Sequence, residues 1–249
     1  MKNRSCIYST ISIALFLLFV TGCEKDNDSP INQTNGRTSA IFNPNLTYGT
    51  MTDQDGNEYK TIHVNGQTWM AENLRTTKYR NGDNISKIAN NNDWVSITTG
   101  AYCSYNNTEN RDTIATYGLL YNWYTTSDSR NLAPEGWHVA TNTDWELLTL
   151  NLGGEDVAAF KFKEIGEYHW YGFGEYATNE SGMTILPSGL RSPSDGNFCC
   201  MGGKGIYWSS TQGDDGYAWI ILFVNSPRGD CVRVLNHMNH GYAIRCVKD

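Results

Sequence analysis

The sequence predicts an α+β domain, and three features of the chain predict it. Short strand-like runs are spread over residues 51–249 and are separated by polar, glycine-rich loops. Only two segments have the apolar spacing of a helix. The last runs follow one another closely, which is typical of antiparallel strands. A single domain over residues 51–249 fits the usual size of a domain.

The first predicted element is a β-hairpin. Residues 59–64 and 67–71 are strand-like runs on either side of Asn65-Gly66. Asn-Gly readily adopts the positive φ angles of a tight two-residue turn. The sequence therefore predicts that these two runs pair with each other at the start of the domain.

Two helices are predicted in the middle of the domain. A strand near Val139 precedes the first helix, and Thr143 and Glu146 have the spacing of a capping box at its start. Gly153-Gly154 marks the end of this helix. A second, shorter helix is predicted over residues 156–165. The first helix has three apolar side chains on one face: Trp145, Leu148 and Leu152.

The C-terminal part of the domain is predicted to be mainly strand. Runs rich in β-branched and aromatic residues alternate there with turn residues. Because these runs close the chain without an intervening helix, they favour antiparallel pairing. The predicted strands lie near residues 183–186, 206–209, 218–224, 231–235 and 242–247.

A signal peptide is predicted before the domain, over residues 1–22. Lys2 and Arg4 precede an apolar run over residues 7–20, which is too short to cross a bilayer but has the length of a signal-peptide core. The following Thr21-Gly22-Cys23 resembles the lipobox of bacterial lipoproteins. This resemblance implies that Cys23 is acylated. An ordinary cleaved secretory peptide is the alternative.

Residues 23–50 are predicted to be a flexible tether. The mostly acidic cluster over residues 24–28 resembles the signals that export some Bacteroidetes lipoproteins to the outer face of the outer membrane. Residues 29–50 are mostly Asn, Thr, Ser, Gly and Pro, and such a composition buries too little surface to offset its ordering entropy. We therefore expect an outer-membrane lipoprotein that is exposed at the cell surface and contacts the membrane through its lipid anchor.

The composition argues against nucleic acid as a partner. The formal net charge is -7, whereas binding to phosphates needs clustered Lys and Arg. Aromatic residues make up 12% of the chain, against only 18% charged residues. Because Tyr and Trp combine an apolar ring with a polar tip, they suit binding surfaces as well as cores.

Five cysteines follow Cys23, and an odd number leaves at least one thiol unpaired within the chain. Cys231 and Cys246 lie on predicted C-terminal strands that can be neighbours, so they are candidates for a disulfide. Cys199 and Cys200 are adjacent and would bond to each other only with severe strain. The spacing of Cys and His gives no support for a zinc site.

Seven short motifs cover most of the domain. In chain order they are 53–59 (DQDGNEY), 69–75 (WMAENLR), 117–123 (YGLLYNW), 134–139 (PEGWHV), 186–189 (LPSG), 207–211 (YWSST) and 245–249 (RCVKD). Together they resemble the Fibrobacter succinogenes major paralogous domain of exported bacterial proteins. The resemblance implies a C-type-lectin-like fold, with twisted antiparallel sheets, two helices and long loops. It implies no particular activity, and Ala133 stands where the family often has a Cys.

Candidate catalytic residues are few. Glu135, His138 and Asp144 lie close together in the sequence, and a hydrolase needs carboxylates or a base of this kind. His138, however, belongs to a family motif and is interpreted as structural. His237 and His240 have a spacing that suits a metal but lack a convincing third ligand. The protein is therefore expected not to be an enzyme, and a hydrolytic enzyme ranks third among the predicted functions.

Two polar loops before the last strands are candidate calcium sites. Asp195 and Asn197 lie in the first loop, and Asp214 and Asp215 lie in the second. Clustered carboxylate and amide oxygens suit Ca²⁺, but Ser-Asp-Gly and Asp-Asp-Gly are also ordinary turn sequences. We prefer the turn interpretation, so no cofactor is expected and calcium is the alternative.

The aromatic residues of one loop are candidates for ligand binding. Tyr168, Trp170, Tyr171 and Phe173 fall in a Gly-rich segment without strand alternation. Aromatic side chains held in such a loop can stack on sugar rings or anchor a protein partner. The predicted function is therefore non-catalytic recognition of a glycan or of a surface or matrix protein. A structural or assembly lipoprotein of the cell envelope is the alternative.

Overall fold

The computed structural model describes residues 32–249 except 33, 173 and 229. The predicted signal peptide, Cys23 and the acidic cluster lie outside the described residues. No helix in the described part of the chain is long and apolar enough to cross a membrane.

The domain is a mixed α+β structure built mostly from small antiparallel sheets, as predicted. Its strands are Gly49–Thr52 (β1), Glu58–Val64 (β2), Gln67–Met70 (β3), Ser86–Lys87 (β4), Ala101–Cys103 (β5), Leu120–Tyr121 (β6), Trp137–Val139 (β7), Leu190–Arg191 (β8), Phe198–Cys199 (β9), Lys204–Gln212 (β10), Tyr217–Val224 (β11), Cys231–His237 (β12) and Cys246–Lys248 (β13). Its α-helices are Asn91–Ser96 (α1), Arg111–Tyr117 (α2), Asn142–Asn151 (α3) and Ala158–Phe162 (α4). Short 3₁₀ turns cover Tyr105–Asn107, Trp123–Thr125 and Gly174–Tyr176.

The largest sheet joins the two ends of the domain. Its strand order is β1-β2-β3-β13-β7, and every neighbouring pair is antiparallel. The predicted hairpin of β2 and β3 is confirmed, with φ values of 50° at Asn65 and 79° at Gly66 in its turn. The C-terminal β13 lies beside β3, where Val247 faces Trp69. The last strand of the chain therefore completes a sheet that begins with the first.

A second sheet, of order β10-β11-β12, separates two apolar cores. Successive side chains of a strand point to opposite faces of its sheet. Ile206, Trp208 and Ile220 accordingly belong to one cluster of buried residues, whereas Tyr207 and Ile221 belong to the other. The predicted strands near 206–209, 218–224 and 231–235 are confirmed. Two smaller sheets, β4-β5-β6 and β8-β9, lie in the connecting segments.

The other two predicted C-terminal strands are largely wrong. Residues 183–186 do not form a regular strand, because the positive φ of 49° at Thr184 interrupts the extended backbone. Within this run only Ile185 makes a β-bridge, to Lys163. In the run 242–247, regular pairing begins only at Cys246. The preceding residues of that run form isolated bridges to other segments.

The helices also differ from the prediction. The described residues contain four short α-helices, where the sequence predicts two. Helix α3 starts two residues earlier than expected, because its capping box is formed by Thr141 and Asp144 and not by Thr143 and Glu146. Glu146 instead accepts a hydrogen bond from Arg233 at 3.1 Å. Helix α4 is shorter than predicted, since the chain becomes extended at its C-cap and bridges to the segment before β8.

The folded part begins before residue 51, which corrects the prediction of a flexible tether up to residue 50. Residues 34–50 run along the domain and hydrogen-bond to it. The Ile41 backbone N–H donates to Glu164 Oε1 at 2.6 Å, and Asn43 is buried and donates from Nδ2 to Asn179 O at 3.0 Å. Polar groups thus help to order this segment, and Phe42, Leu46 and Tyr48 also pack against one of the apolar cores.

The cysteine pairing differs from the prediction. Cys199 and Cys200 form a disulfide with each other, and Cys200 has a left-handed backbone with a φ of 73°. Cys231 and Cys246 are both free and buried. They cannot pair because they lie in different sheets, where Cys231 faces Phe223 and Cys246 faces Val139.

Candidate functional site: a tyrosine-lined pocket

The predicted aromatic loop is only partly a surface feature. Trp170 is fully buried, and its Nε1 donates to Ile185 O at 3.0 Å. The expectation that Trp170 contacts a ligand is therefore wrong, because its ring is part of the core. Tyr168 and Tyr171, by contrast, are 70% and 72% exposed. Phe173 lies outside the described residues.

Tyr171 is held by the loop between β9 and β10. Its backbone N–H donates to Gly202 O at 2.9 Å, and its carbonyl accepts a hydrogen bond from Asn225 Nδ2. The ring lies so close to Gly202 that a Cβ atom at this position would clash with it. Gly202 also has a φ of +83°, which an L-residue adopts at a cost. The exposed Tyr171 ring is therefore held against the backbone at Gly202.

Tyr168 stands at an open pocket of about 390 Å³ between α2 and the N-terminal segment. The ring of His169 packs edge-on against two rings, those of Tyr168 at 4.6 Å and Tyr117 at 5.4 Å between centroids. We call this site the tyrosine pocket. The residues that line it are Ser39, Asn110, Asp112, Thr113, Thr116, Tyr117, Tyr168 and His169.

A hydrogen-bonded row of side chains forms the floor of the tyrosine pocket. Ser39 Oγ lies 3.0 Å from His169 Nε2, and His169 Nδ1 lies 2.6 Å from Glu164 Oε2. Ser39 is exposed, whereas His169 and Glu164 are 4% and 0% exposed. Thr116 Oγ1 accepts from the Ser39 N–H at 2.9 Å and lies 3.1 Å from Ser39 Oγ. The row thus leads from the pocket into the core.

The tyrosine pocket offers neutral hydrogen-bonding groups and one carboxylate, that of Asp112, beside its aromatic rings. Burial raises the pKa of Tyr117 to about 12, and nearby Tyr171, Glu164 and Tyr168 contribute to the rise. The Tyr117 phenol therefore stays protonated at neutral pH and can donate a hydrogen bond. Asn110 and Thr113 add amide and hydroxyl groups at the same pocket. This combination can stack on an apolar face and bind hydroxyl groups at its edge.

The predicted acidic residues are not brought together. Asp195 and Asn197 bond to each other within one turn, where Asn197 Nδ2 donates to Asp195 Oδ2 at 2.8 Å. Asp214 and Asp215 lie in the separate turn between β10 and β11. Among the described residues, no group of three or more His, Cys, Asp or Glu side chains is arranged to hold a metal ion. These aspartates are accounted for by turn structure.

The predicted histidine candidates have structural contacts. His138 links the first turn of α3 to the C-terminus, with Nδ1 2.7 Å from Asp249 Oδ1 and Nε2 3.2 Å from Asp144 Oδ2. His240 turns back on its own loop, where its Nδ1 lies 3.1 Å from the His237 carbonyl oxygen. Both histidines are therefore interpreted as residues that stabilise the local fold.

The Fibrobacter succinogenes major domain model matches residues 62–248. The chain belongs to this family. Searches of curated proteins and of solved structures found no match. In this Fibrobacter succinogenes major domain, Tyr117, Glu164 and His169 of the tyrosine pocket lie within the matched region, and Ser39 lies before it.

Sequence reasoning missed the row of Ser39, His169 and Glu164. Ser39 falls in a polar segment with no apolar pattern, which predicts a tether rather than a packed strand. His169 falls between Tyr168 and Trp170, and the aromatic residues of this segment predict a binding loop. The only local signal is the five-residue separation of Glu164 and His169, and nothing in it points to Ser39.

Proposed function

We propose that this member of the family is a lipid-anchored cell-surface protein that binds glycan at the tyrosine pocket. The observation that carries the proposal is the position of Tyr168, a largely exposed ring at an open pocket of about 390 Å³. Exposed aromatic rings stack on the apolar faces of sugars, and the neighbouring hydroxyl and amide groups suit sugar hydroxyls. Tyr171, three residues further along the same loop, is a second exposed ring that lies outside the pocket lining.

The anchoring and the fold are parts of the same proposal. Cys23, at the end of a lipobox-like sequence, is the proposed lipid attachment site, and the acidic cluster after it supports export to the outer face of the outer membrane. The proposed architecture is C-type-lectin-like. It is supported by the family resemblance, by the sheet that joins the first and last strands, and by the long loops between β7 and β10.

A second candidate is a structural or assembly lipoprotein of the cell envelope. It is supported by β12, which forms the edge of its three-stranded sheet. Val232 and Val234 on this strand are 37% and 40% exposed. An exposed edge with apolar side chains favours pairing with another protein.

A glycan array tests the first proposal. The purified lipoprotein is screened in detergent with calcium and again with chelator, and the same screen is run on Tyr168→Ala. We expect selective binding that survives the chelator and falls by about 10-fold or more in the variant, equivalent to about 1.4 kcal/mol. Tyr217→Ala is the matched control, because Tyr217 is also exposed but lies on β11.

Three outcomes count against this site. Equal binding by Tyr168→Ala and the parent protein would place the ligand elsewhere. Loss of binding in chelator would indicate a calcium-dependent site, with Asp195, Asp214 and Asp215 as the candidate ligands. If no glycan binds in either condition, a pull-down from envelope extracts, compared with a β12 variant such as Val234→Lys, tests the assembly role.

A further inference from the structure

Ser39, His169 and Glu164 have the mutual geometry of a nucleophile, a base and a residue that orients the base. The distances are 3.0 Å from Ser39 Oγ to His169 Nε2 and 2.6 Å from His169 Nδ1 to Glu164 Oε2. Both fall within hydrogen-bonding range, which is the requirement for an activated serine. The three residues come from two segments, because Glu164 and His169 are five positions apart, whereas 130 positions separate His169 from Ser39.

The burial of the side chains increases from Ser39 to His169 to Glu164. Ser39 is exposed at the tyrosine pocket, His169 is almost fully buried, and Glu164 is completely buried. Glu164 is fixed by a second contact, since its Oε1 accepts from the Ile41 N–H at 2.6 Å. The imidazole is also clamped edge-on by Tyr117 and Tyr168. Both the base and its orienting carboxylate are therefore preorganised.

The available hydrogens allow Ser39 to give its proton to His169. The Thr116 hydroxyl donates to the Asp112 carbonyl at 2.7 Å, so its single hydrogen is not available to Ser39. Ser39 Oγ therefore receives no hydrogen from Thr116, and it can donate its own hydrogen either to Thr116 Oγ1 at 3.1 Å or to His169 Nε2 at 3.0 Å. With the imidazole proton on Nδ1, facing Glu164, the Nε2 atom is an acceptor for the Ser39 hydroxyl.

We propose that the tyrosine pocket hydrolyses esters, with Ser39 as the nucleophile, His169 as the general base and Glu164 as the residue that orients His169. Ser39 Oγ attacks the carbonyl carbon of an acyl ester and passes its proton to Nε2. The bond to the ester oxygen then breaks, and the departing alcohol takes that proton. Water attacks the resulting acyl-serine and gives its proton to Nε2. The carboxylic acid leaves, and Ser39 recovers its hydrogen from Nε2.

The pocket also has donors for the carbonyl oxygen of the ester. The Ser39 N–H is engaged by Thr116 Oγ1, so the negative charge of the tetrahedral intermediate needs other groups. The Asn110 side chain uses its Oδ1 to cap α2, and its Nδ2 makes no hydrogen bond within the described part of the chain. Tyr117 adds a protonated phenol at the same wall. An acylated saccharide is the proposed substrate class, because its ester can react with Ser39 while its sugar ring stacks on Tyr168. Only this choice of substrate rests on the proposed function.

A fluorophosphonate probe tests the nucleophile independently of the natural substrate. We expect the full-length protein in detergent to be labelled at Ser39, identified by peptide mass spectrometry, and to hydrolyse p-nitrophenyl acetate. Ser39→Ala should abolish labelling, whereas Ser194→Ala, in an exposed turn on another loop, should leave it unchanged. His169→Gln and Glu164→Gln should lower the rate about 100-fold or more.

The possible results separate catalysis from a purely structural network. Ser39→Ala removes an exposed hydroxyl and should fold normally, which is verified by its melting temperature, so it remains informative if the variants of buried residues unfold. No labelling of the parent protein, or equal ester hydrolysis by Ser39→Ala, overturns the proposal. If the parent protein is not labelled and Ser39→Ala still binds glycan, the pocket binds glycan but does not hydrolyse esters.

Discussion

Arg245 donates a hydrogen bond from Nε to Asn73 Oδ1 at 2.7 Å, although 172 positions separate the two residues. The guanidinium is fully buried, and its Nη1 also donates to the carbonyls of Met70 and Met183 at 2.8 and 2.9 Å. Two of the family motifs therefore meet at one side chain. Their role is to hold the segment after β3 against the segment before β13.

This contact predicts a large loss of stability for Arg245→Lys. The lysine keeps a charge but lacks the planar guanidinium, which reaches four acceptors at once, the fourth being the Thr184 carbonyl at 3.2 Å from Nη2. Buried acceptors left unpaired cost roughly 1–3 kcal/mol each, so we expect the free energy of unfolding to fall by about 3 kcal/mol. Urea unfolding measures the change, with the exposed Arg228→Lys as control. A loss no greater than that of the control would refute this account of the motifs.

The buried and the exposed aromatic residues of the loop predict different losses of stability on mutation. Trp170→Ala should lower the free energy of unfolding by about 3–5 kcal/mol, because it leaves a cavity in the core and removes one of the two hydrogen bonds that the Ile185 carbonyl accepts. Tyr168→Ala should change it by no more than about 0.5 kcal/mol, because most of the ring is already in solvent. Thermal or urea unfolding of both variants decides the point. Similar destabilisation in the two would show that Tyr168 is also a packing residue.

His240 predicts a loss of stability in mild acid. Burial lowers its pKa to about 4, against about 6.5 in an unfolded chain. The unfolded state therefore takes up a proton first as the pH falls, and the free energy of unfolding decreases from about pH 6.5 down to about pH 4. We expect this residue to account for roughly 2 kcal/mol of the loss.

Urea unfolding at about pH 7 and about pH 4 measures the effect of His240. The decrease should be smaller in His240→Gln than in the parent protein, and His63→Gln, on the exposed side of β2, is the control. An identical pH dependence in His240→Gln and the parent would rule out this source of acid sensitivity.

Three buried thiols predict slow alkylation. Burial raises the pKa of Cys103 and Cys231 to about 12 and that of Cys246 well above its usual range. Because the thiolate is the reactive form, we expect these three residues to resist iodoacetamide in the folded protein and to react fully in denaturant. Peptide mass spectrometry identifies the alkylated positions. A Cys231–Cys246 bridge would instead appear as one linked peptide pair, contrary to the structure.

Several local elements could be predicted because their causes are local. The hairpin depends on Asn65-Gly66, and the strands of the second sheet depend on runs of β-branched and aromatic residues. The start of α3 could not be predicted in the same way. Thr141 with Asp144 and Thr143 with Glu146 have the same spacing, and contacts outside the helix decide between them, since Glu146 binds Arg233 on β12.

The sequence by itself determined the α+β class, the family and the proposal of a lipid anchor, because these follow from periodicity and from ordered motifs. Only the tertiary structure decided that Trp170 is buried, that Cys231 and Cys246 are apart, and that Ser39 meets His169. The reason is physical. Burial and pairing depend on which segments pack together. Residues 34–50 are held by scattered polar contacts and by Phe42, Leu46 and Tyr48, whose spacing is neither that of a helix nor that of a strand.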